Sequence, residues 1–155
     1  MRILVISDCH GDRYSVREAI DAQPTAKTII FLGDGIRDME KLESEYPDKI
    51  FHMVPGNCDF ASIEPTTKIL TLNGKQIMIT HGHEYKVKYT TMMAEHTARR
   101  NGCDLLLYGH THIPRTNYDD GMYIMNPGSI SRHNTHTYGT VDITNGGIFC
   151  NIIKL

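Results

Sequence analysis

The chain has no surplus of charge: 16 Lys and Arg stand against 18 Asp and Glu, a formal net charge of −2. That gives no electrostatic case for a dedicated nucleic-acid binder or for docking on an anionic membrane. No apolar run reaches the roughly 20 residues of a membrane span, and the N-terminal run Ile3-Leu4-Val5-Ile6 meets Asp8 too soon for a signal peptide. The four cysteines, Cys9, Cys58, Cys103 and Cys150, are scattered, with no C-x-x-C pair. In a chain able to build its own core, this favours reduced thiols and a cytoplasmic home over a disulfide framework. Low-complexity segments and Pro-, Gly- or Ser-rich linkers are missing too, so residues 1–155 are expected to form one domain.

What is present is a set of short apolar runs that each end in polar residues. Residues 2–7 read as a strand. Ser15-Val16-Arg17-Glu18 has the form of a capping box, with Val16, Ala19 and Ile20 as the apolar stripe of a helix. "TIIFLG" is a second buried strand, "DMEKLESEYPD" a polar helix stopped by Pro47, and "KIFHMVPGNCD" a third strand. This alternation predicts parallel βαβ units. "KILTLNGKQIMITHGH" reads as a hairpin about Asn73-Gly74, Tyr89 to Asn101 as a helix, and "CDLLLYGHTH" as one more buried strand. The segments "GMYIMNPGS" and "TYGTVDITNGGIFCNIIKL" look like antiparallel strands.

The polar strand ends fall at Asp8, Asp34, Asn57, His81 and His110, spaced 23 to 29 residues apart. In open α/β sheets the carboxyl ends of the strands share one edge, where ligands bind. The groups expected there are Asp8, His10, Asp34, Asn57, His81, His110 and His112. Asp8 and His10 are two apart, as are His110 and His112, and in extended backbone such pairs point the same way. Seven oxygen and nitrogen donors without a thiolate exceed what one tetrahedral zinc needs and suit two divalent ions. A metal pair bridging a hydroxide lowers its pKa and holds phosphoryl oxygens for in-line attack. Asp34 is the candidate bridging carboxylate, one oxygen to each ion.

Asp8-x-His10, Gly33-Asp34, Gly56-Asn57, His81-Gly82 and Gly109-His110-Thr111-His112, in that order, resemble the signature of the calcineurin-like metallophosphoesterases. With Asn126-Pro127-Gly128-Ser129, the chain looks most similar to the small YfcE-like phosphodiesterase group. The resemblance implies a four-layer α/β/β/α sandwich of two mixed sheets, with the metal site at the carboxyl ends of the strands. It implies one ion on Asp8, His10, Asp34 and His112 and another on Asp34, Asn57, His81 and His110. Manganese is the expected metal, with iron, zinc, nickel or cobalt as alternatives, and a homodimer or homotetramer is the implied assembly. The implied activity is hydrolysis of small phosphate esters, phosphodiesters first. A phosphomonoesterase for a nucleotide or sugar phosphate is the alternative. A non-catalytic scaffold of the same fold is a further rival, which the complete donor set argues against. A nuclease finds no basic stripe to support it.

One departure is informative. Many relatives carry Gly-Asn-His, where the imidazole can protonate the leaving group; here the residue is Cys58. A thiol of ordinary pKa, near 8.5, replaces that imidazole poorly. Asn57, His81 and His83 are therefore the catalytic candidates, His83 either meeting substrate or bracing its loop. Asn126, Ser129 and Arg132 are candidates to reach a phosphate, the alternative being a plain turn at a strand end. Asp59 is assigned to holding its turn. Met92 and Met93 read as core filler, Tyr89, Tyr108 and Tyr123 as packing residues, and Cys9 as a buried thiol. The segments 35–46, 60–66 and 83–90 are expected to shape the substrate pocket. Cys58→His is expected to raise turnover of alkyl esters more than of aryl esters; steady-state rates on both classes check this, and equal gains would remove the leaving-group explanation.

Overall fold

Ile3 and Val5 face one way along the first strand, Leu4 and Ile6 the other, and all four are fully buried, so this strand is covered on both faces. A computed structural model, which describes residues 1–155, accounts for this by four layers. In chain order the elements are β1 (Arg2–Ile6), α1 (Arg13–Ala22), β2 (Thr28–Phe31), α2 (Ile36–Glu43), β3 (Ile50–Met53), β4 (Thr67–Leu72) and β5 (Lys75–Thr80). They continue with α3 (Met92–Arg100), β6 (Leu105–Tyr108), β7 (Arg115–Asp119), β8 (Met122–Asn126), β9 (Thr137–Thr144) and β10 (Gly147–Lys154).

Two five-stranded mixed sheets result, ordered β10-β9-β1-β2-β3 and β4-β5-β6-β8-β7. Ile3, Val5, Ile30 and Leu32 of the first sheet meet Ile77, Ile79, Leu105 and Leu107 of the second in the central core. Leu4, Ile6, Ile29 and Phe31 pack outward on Val16, Ala19, Ile20, Met39 and Leu42 of α1 and α2. Met78, Leu106 and Ile124 pack outward on Ala94 and Ala98 of α3. The layers are thus α/β/β/α. β1, β2 and β3 run parallel, as do β5, β6 and β8.

Several local expectations change. The α1 cap is Asp12, whose carboxylate accepts from Ser15 N, and Ser15 lies inside the helix. α2 begins at Ile36 and α3 only at Met92. β8 is antiparallel to β7 but parallel to β6, and β7 itself, exposed at every residue, has no apolar pattern to announce it. Tyr89, Met92 and Met93 are exposed at 88%, 72% and 58%, so they are surface groups and not core filler. The Asn73-Gly74 hairpin is as expected, both residues having positive φ. No helix is long and apolar enough to cross a membrane.

Candidate metal centre

Five strand ends deliver the seven donors to one place, but not through extended backbone. Asp8 (φ 56°), His10 (45°), Asp34 (60°), His110 (68°) and His112 (60°) all lie in the left-handed region. Alternation along a strand therefore does not explain why the pairs converge. The chain turns back at each strand end, and Asp and His are among the side chains that tolerate this conformation best. Each such residue still costs about 1 kcal/mol or more, and five of them sit at this edge.

The donor atoms are close. Asp8 Oδ1 is 3.2 Å from His112 Nε2 and 4.0 Å from His81 Nε2. His10 Nε2 lies 3.3 Å from His112 Nε2 and 3.8 Å from Asp34 Oδ2. His81 Nε2 lies 3.6 Å from Asp34 Oδ2, 3.2 Å from Asn57 Oδ1 and 3.1 Å from His110 Nδ1.

The far side of several donors is already bonded. His81, fully buried, donates Nδ1–H to the Leu32 carbonyl at 2.6 Å, which leaves Nε2 a bare lone pair among the Asn57, Asp34 and Asp8 oxygens. His112 Nδ1 is 3.4 Å from Asn134 Oδ1. Asp34 Oδ1 accepts from Cys58 N at 2.8 Å, and Oδ2 is the oxygen near His10 and His81. Asp8 Oδ2 accepts from Ser7 Oγ and His110 N, while Oδ1 is buried with no donor. Acceptors surrounding an acceptor, with an orphaned carboxylate oxygen beside them, fit divalent cations. His81, Asp34 and Asp8 form one candidate ligand group, and Asp8, His10 and His112 another.

The ionisation of the site agrees. Burial works against the Asp8 carboxylate, yet His112, His81 and Ser7 together hold its pKa below the ordinary value. The Asp8 carboxylate raises His112 in turn. Positive charge is wanted here. Burial, with neighbouring His81 and the Lys88 charge adding to it, lowers His110 to about 4 and leaves a neutral imidazole, the form that ligates. Burial, then its bond to Asp34 and the Asp34 charge, raises Cys58 to about 11, so its sulfur is a neutral thiol and a poor ligand. Cys9, pushed up to about 12 by burial, is the inert thiol expected of it, although not through alternation.

Two candidates for phosphate contact are instead fully buried supports. Asn126 Nδ2 donates to Gly109 O and Thr111 Oγ1, and its Oδ1 accepts from Gly128 N. Ser129 Oγ donates to Asp8 O. They hold the backbone of the two His/Asp loops and have no face left for substrate. Arg132 is exposed and grips Asp12 through Nε at 3.0 Å and Nη2 at 3.1 Å, beside a shallow cleft that includes His10. His83 is half-buried, its ring 5.5 Å from His81, with Nδ1 buried and unpartnered. Burial first, then the neighbouring His81, lowers its pKa.

Asp59 does more than hold a turn. Its carboxylate accepts from four backbone N–H groups: Asp34, Gly35, Ile36 and Gly56, at 2.8 to 3.0 Å. It bolts the β2 and β3 ends together. Gly33 and Gly56 allow that approach: a Cβ on Gly33 would meet Gly56 N at 2.5 Å and His81 Nδ1 at 2.8 Å, and one on Gly56 would strike the Asp34 carboxylate. The Gly that precedes Asp34 and the Gly that precedes Asn57 are thus a steric requirement of the site.

Residues 1–146 match the model of the calcineurin-like phosphoesterase superfamily domain. The chain belongs to this superfamily. It is a metal-dependent hydrolase of phosphate esters. A Bacillus subtilis (strain 168) relative named "Probable metallophosphoesterase YsnB" is 32% identical over 134 residues, which cover 84% of this chain and 75% of that protein. "Phosphodiesterase YfcE" of Escherichia coli (strain K12) is 27% identical over 169 residues, 92% of this chain and 88% of that protein. Among solved structures, a predicted phosphoesterase from Streptococcus pneumoniae TIGR4 superposes with a TM-score of 0.84 at 26% identity, covering 99% of this chain and 88% of that one. The sandwich of two mixed sheets is the fold shared with these phosphoesterases.

Two clefts flank the donors. One, of about 320 Å³, runs from His10, Asp34 and Cys58 to Arg37 and Phe60. The other, of about 640 Å³, lies beyond Thr111 and is walled by residues 87–91, Tyr108, Ile113 and Arg115. The segments expected to shape the pocket do supply much of both walls, although 36–43 does so as a helix.

Loss of the Asp59 bolt has a measurable consequence. Asp59→Ala is expected to cost about 3 kcal/mol, as for a charged hydrogen-bonding group removed from buried donors, or roughly 6–12 °C in Tm, with metal content falling in parallel. Calorimetry and elemental analysis check this; an unchanged metal content would show that Asp59 does not position Asp34.

Proposed function

We propose that the protein is a phosphodiesterase working with two divalent ions, manganese foremost. Asp8, His10, Asp34 and His112 would hold one ion, and Asp34, Asn57, His81 and His110 the other, with Asp34 Oδ2 common to both. The observation that carries this is the set of donor atoms 3.1 to 4.0 Å apart whose far sides are bonded to the protein. The carboxylate and amide oxygens suit manganese, and the four imidazoles admit iron, nickel or zinc as well. A bound pair supplies a hydroxide-type nucleophile at neutral pH and neutralises the developing charge on the phosphoryl oxygens.

The chain's own residues then position. The Leu32 carbonyl fixes the His81 ring, and Cys58 N fixes the Asp34 carboxylate, before substrate arrives. His83, uncharged at neutral pH, is the imidazole placed to hydrogen-bond a departing oxygen, because Cys58 is held as a thiol too weakly acidic for that work. Little proton assistance favours esters whose leaving groups depart readily. A diester has two arms to place, and two clefts are at hand, one lined by the donors His10 and Asp34 and one lined by Thr111 between His110 and His112; a monoester would use one. Four free cysteines fit a reducing compartment, and we place the protein in the cytoplasm.

The test compares bis(4-nitrophenyl) phosphate with 4-nitrophenyl phosphate on protein loaded with manganese. The expected result is two ions per chain, loss of activity on chelation with recovery on adding manganese, and at least a tenfold preference in kcat/KM for the diester. A preference for the monoester would contradict the diesterase reading.

A further inference from the structure

The cleft beyond Thr111 is basic without apparent need. Lys88 and Arg115 both line it, neither forms an ion pair with a carboxylate of the protein, and Arg115 reaches only the Tyr108 hydroxyl in the same wall. Lys88 is near enough for its charge to disfavour protons on both His110 and His112, after larger influences from burial and His81 at His110 and from Asp8 and burial at His112. Glu95 is an acid next to this wall, where it acts on Tyr108 and accepts from Thr91 Oγ1. Two cations without a carboxylate partner, against one hydrogen-bonded carboxylate, leave the cleft with a positive excess.

Its other walls suit a particular guest. Thr90 and Thr111 line it, and their hydroxyl oxygens accept from Met92 N, Ile113 N and Asn126 Nδ2, which leaves the O–H hydrogens for an anionic guest, whereas Thr91 gives its own to Glu95. The rim holds apolar surface out to solvent, with Tyr89 88% and Ile113 66% exposed, ready to cover an organic unit. A volume of about 640 Å³ accommodates a sugar-sized group with its substituent.

We propose that this cleft, through Lys88 and Arg115, binds a second phosphate carried on one arm of the substrate, with Tyr89 and Ile113 covering the unit that joins the two phosphates. The preferred substrate is then a small phosphodiester that bears an additional phosphate, which goes beyond the diesterase reading and rests on it. The Arg115 fork takes two phosphate oxygens at once and Lys88 contributes a point charge beside the donors. Small size, and not polymer length, is selected, because a chain of net charge −2 has no surplus of positive charge to hold a long polyanion.

A matched pair of chromogenic substrates tests this: thymidine 5′-(4-nitrophenyl phosphate) with and without a 3′-phosphate. Scissile bond and leaving group are the same in both. The wild-type protein loaded with manganese is expected to favour the 3′-phosphorylated ester about tenfold or more in kcat/KM, the effect of one or two charged hydrogen bonds. In the Lys88→Ala/Arg115→Ala double variant the ratio is expected to fall to about one, whatever happens to the absolute rates. Calorimetric titration gives a second readout: thymidine 3′,5′-bisphosphate should bind about tenfold tighter than thymidine 5′-monophosphate, an advantage the double variant loses. Equal values for the pair in the wild type, or an advantage that survives in the double variant, would overturn the proposal. Hydrolysis of neither ester would instead contradict the diesterase reading, and the calorimetric ratio would then decide the phosphate subsite alone.

Discussion

A nitrogen lone pair crowded by oxygen lone pairs is the constraint on which the rest depends. Nε2 of His81 is enclosed by the oxygens of Asn57, Asp34 and Asp8, and its other nitrogen is committed to the Leu32 carbonyl. Such a cluster is electrostatically unfavourable unless positive charge enters it, and the pKa directions at Asp8 and His112 report that demand. Everything around the centre resists relaxation. Ser7 and His110 N hold one Asp8 oxygen, Cys58 N holds one Asp34 oxygen, and Asp59 ties the loops that carry Asp34 and Asn57. The arrangement is paid for by the fold as a whole, through three apolar layers that fix where each strand ends.

Backbone conformation and ligand chemistry make the same demand on residue type. The strand ends must turn sharply, and three of them, after β1, β2 and β6, do so through five left-handed Asp or His residues. A β-branched or apolar side chain at these positions would fail twice, as a ligand and as a turn residue. Glycine next to the donors removes the remaining obstacle, since Gly33 and Gly56 approach each other more closely than side chains would permit.

Much of this was legible in the sequence. Buried runs such as Ile3–Ile6 and Leu105–Tyr108 are apolar on both faces, so their polar endings stand out, and the alternation of strands and helices placed those endings on one edge. The support structure was not legible. Asn126 and Ser129 look like phosphate contacts because their side chains could do that work; only the folded chain brings Gly109 O and Asp8 O to them. Asp59 gains four donors from segments more than twenty residues away and from its own turn, which no local pattern encodes. Tyr89, Met92 and Met93 carry apolar side chains at helical spacing yet face solvent, because α3 buries the stripe of Ala94 and Ala98 instead. β7 was invisible since an edge strand exposed throughout needs no hydrophobic period.

The most direct test of the central claim is anomalous X-ray diffraction from crystals grown with manganese. Two peaks are predicted, roughly 3.5–4 Å apart, with Asp34 Oδ2 between them, Asp8, His10 and His112 around one, and Asn57, His81 and His110 around the other. A single peak, or peaks away from these seven side chains, would contradict it.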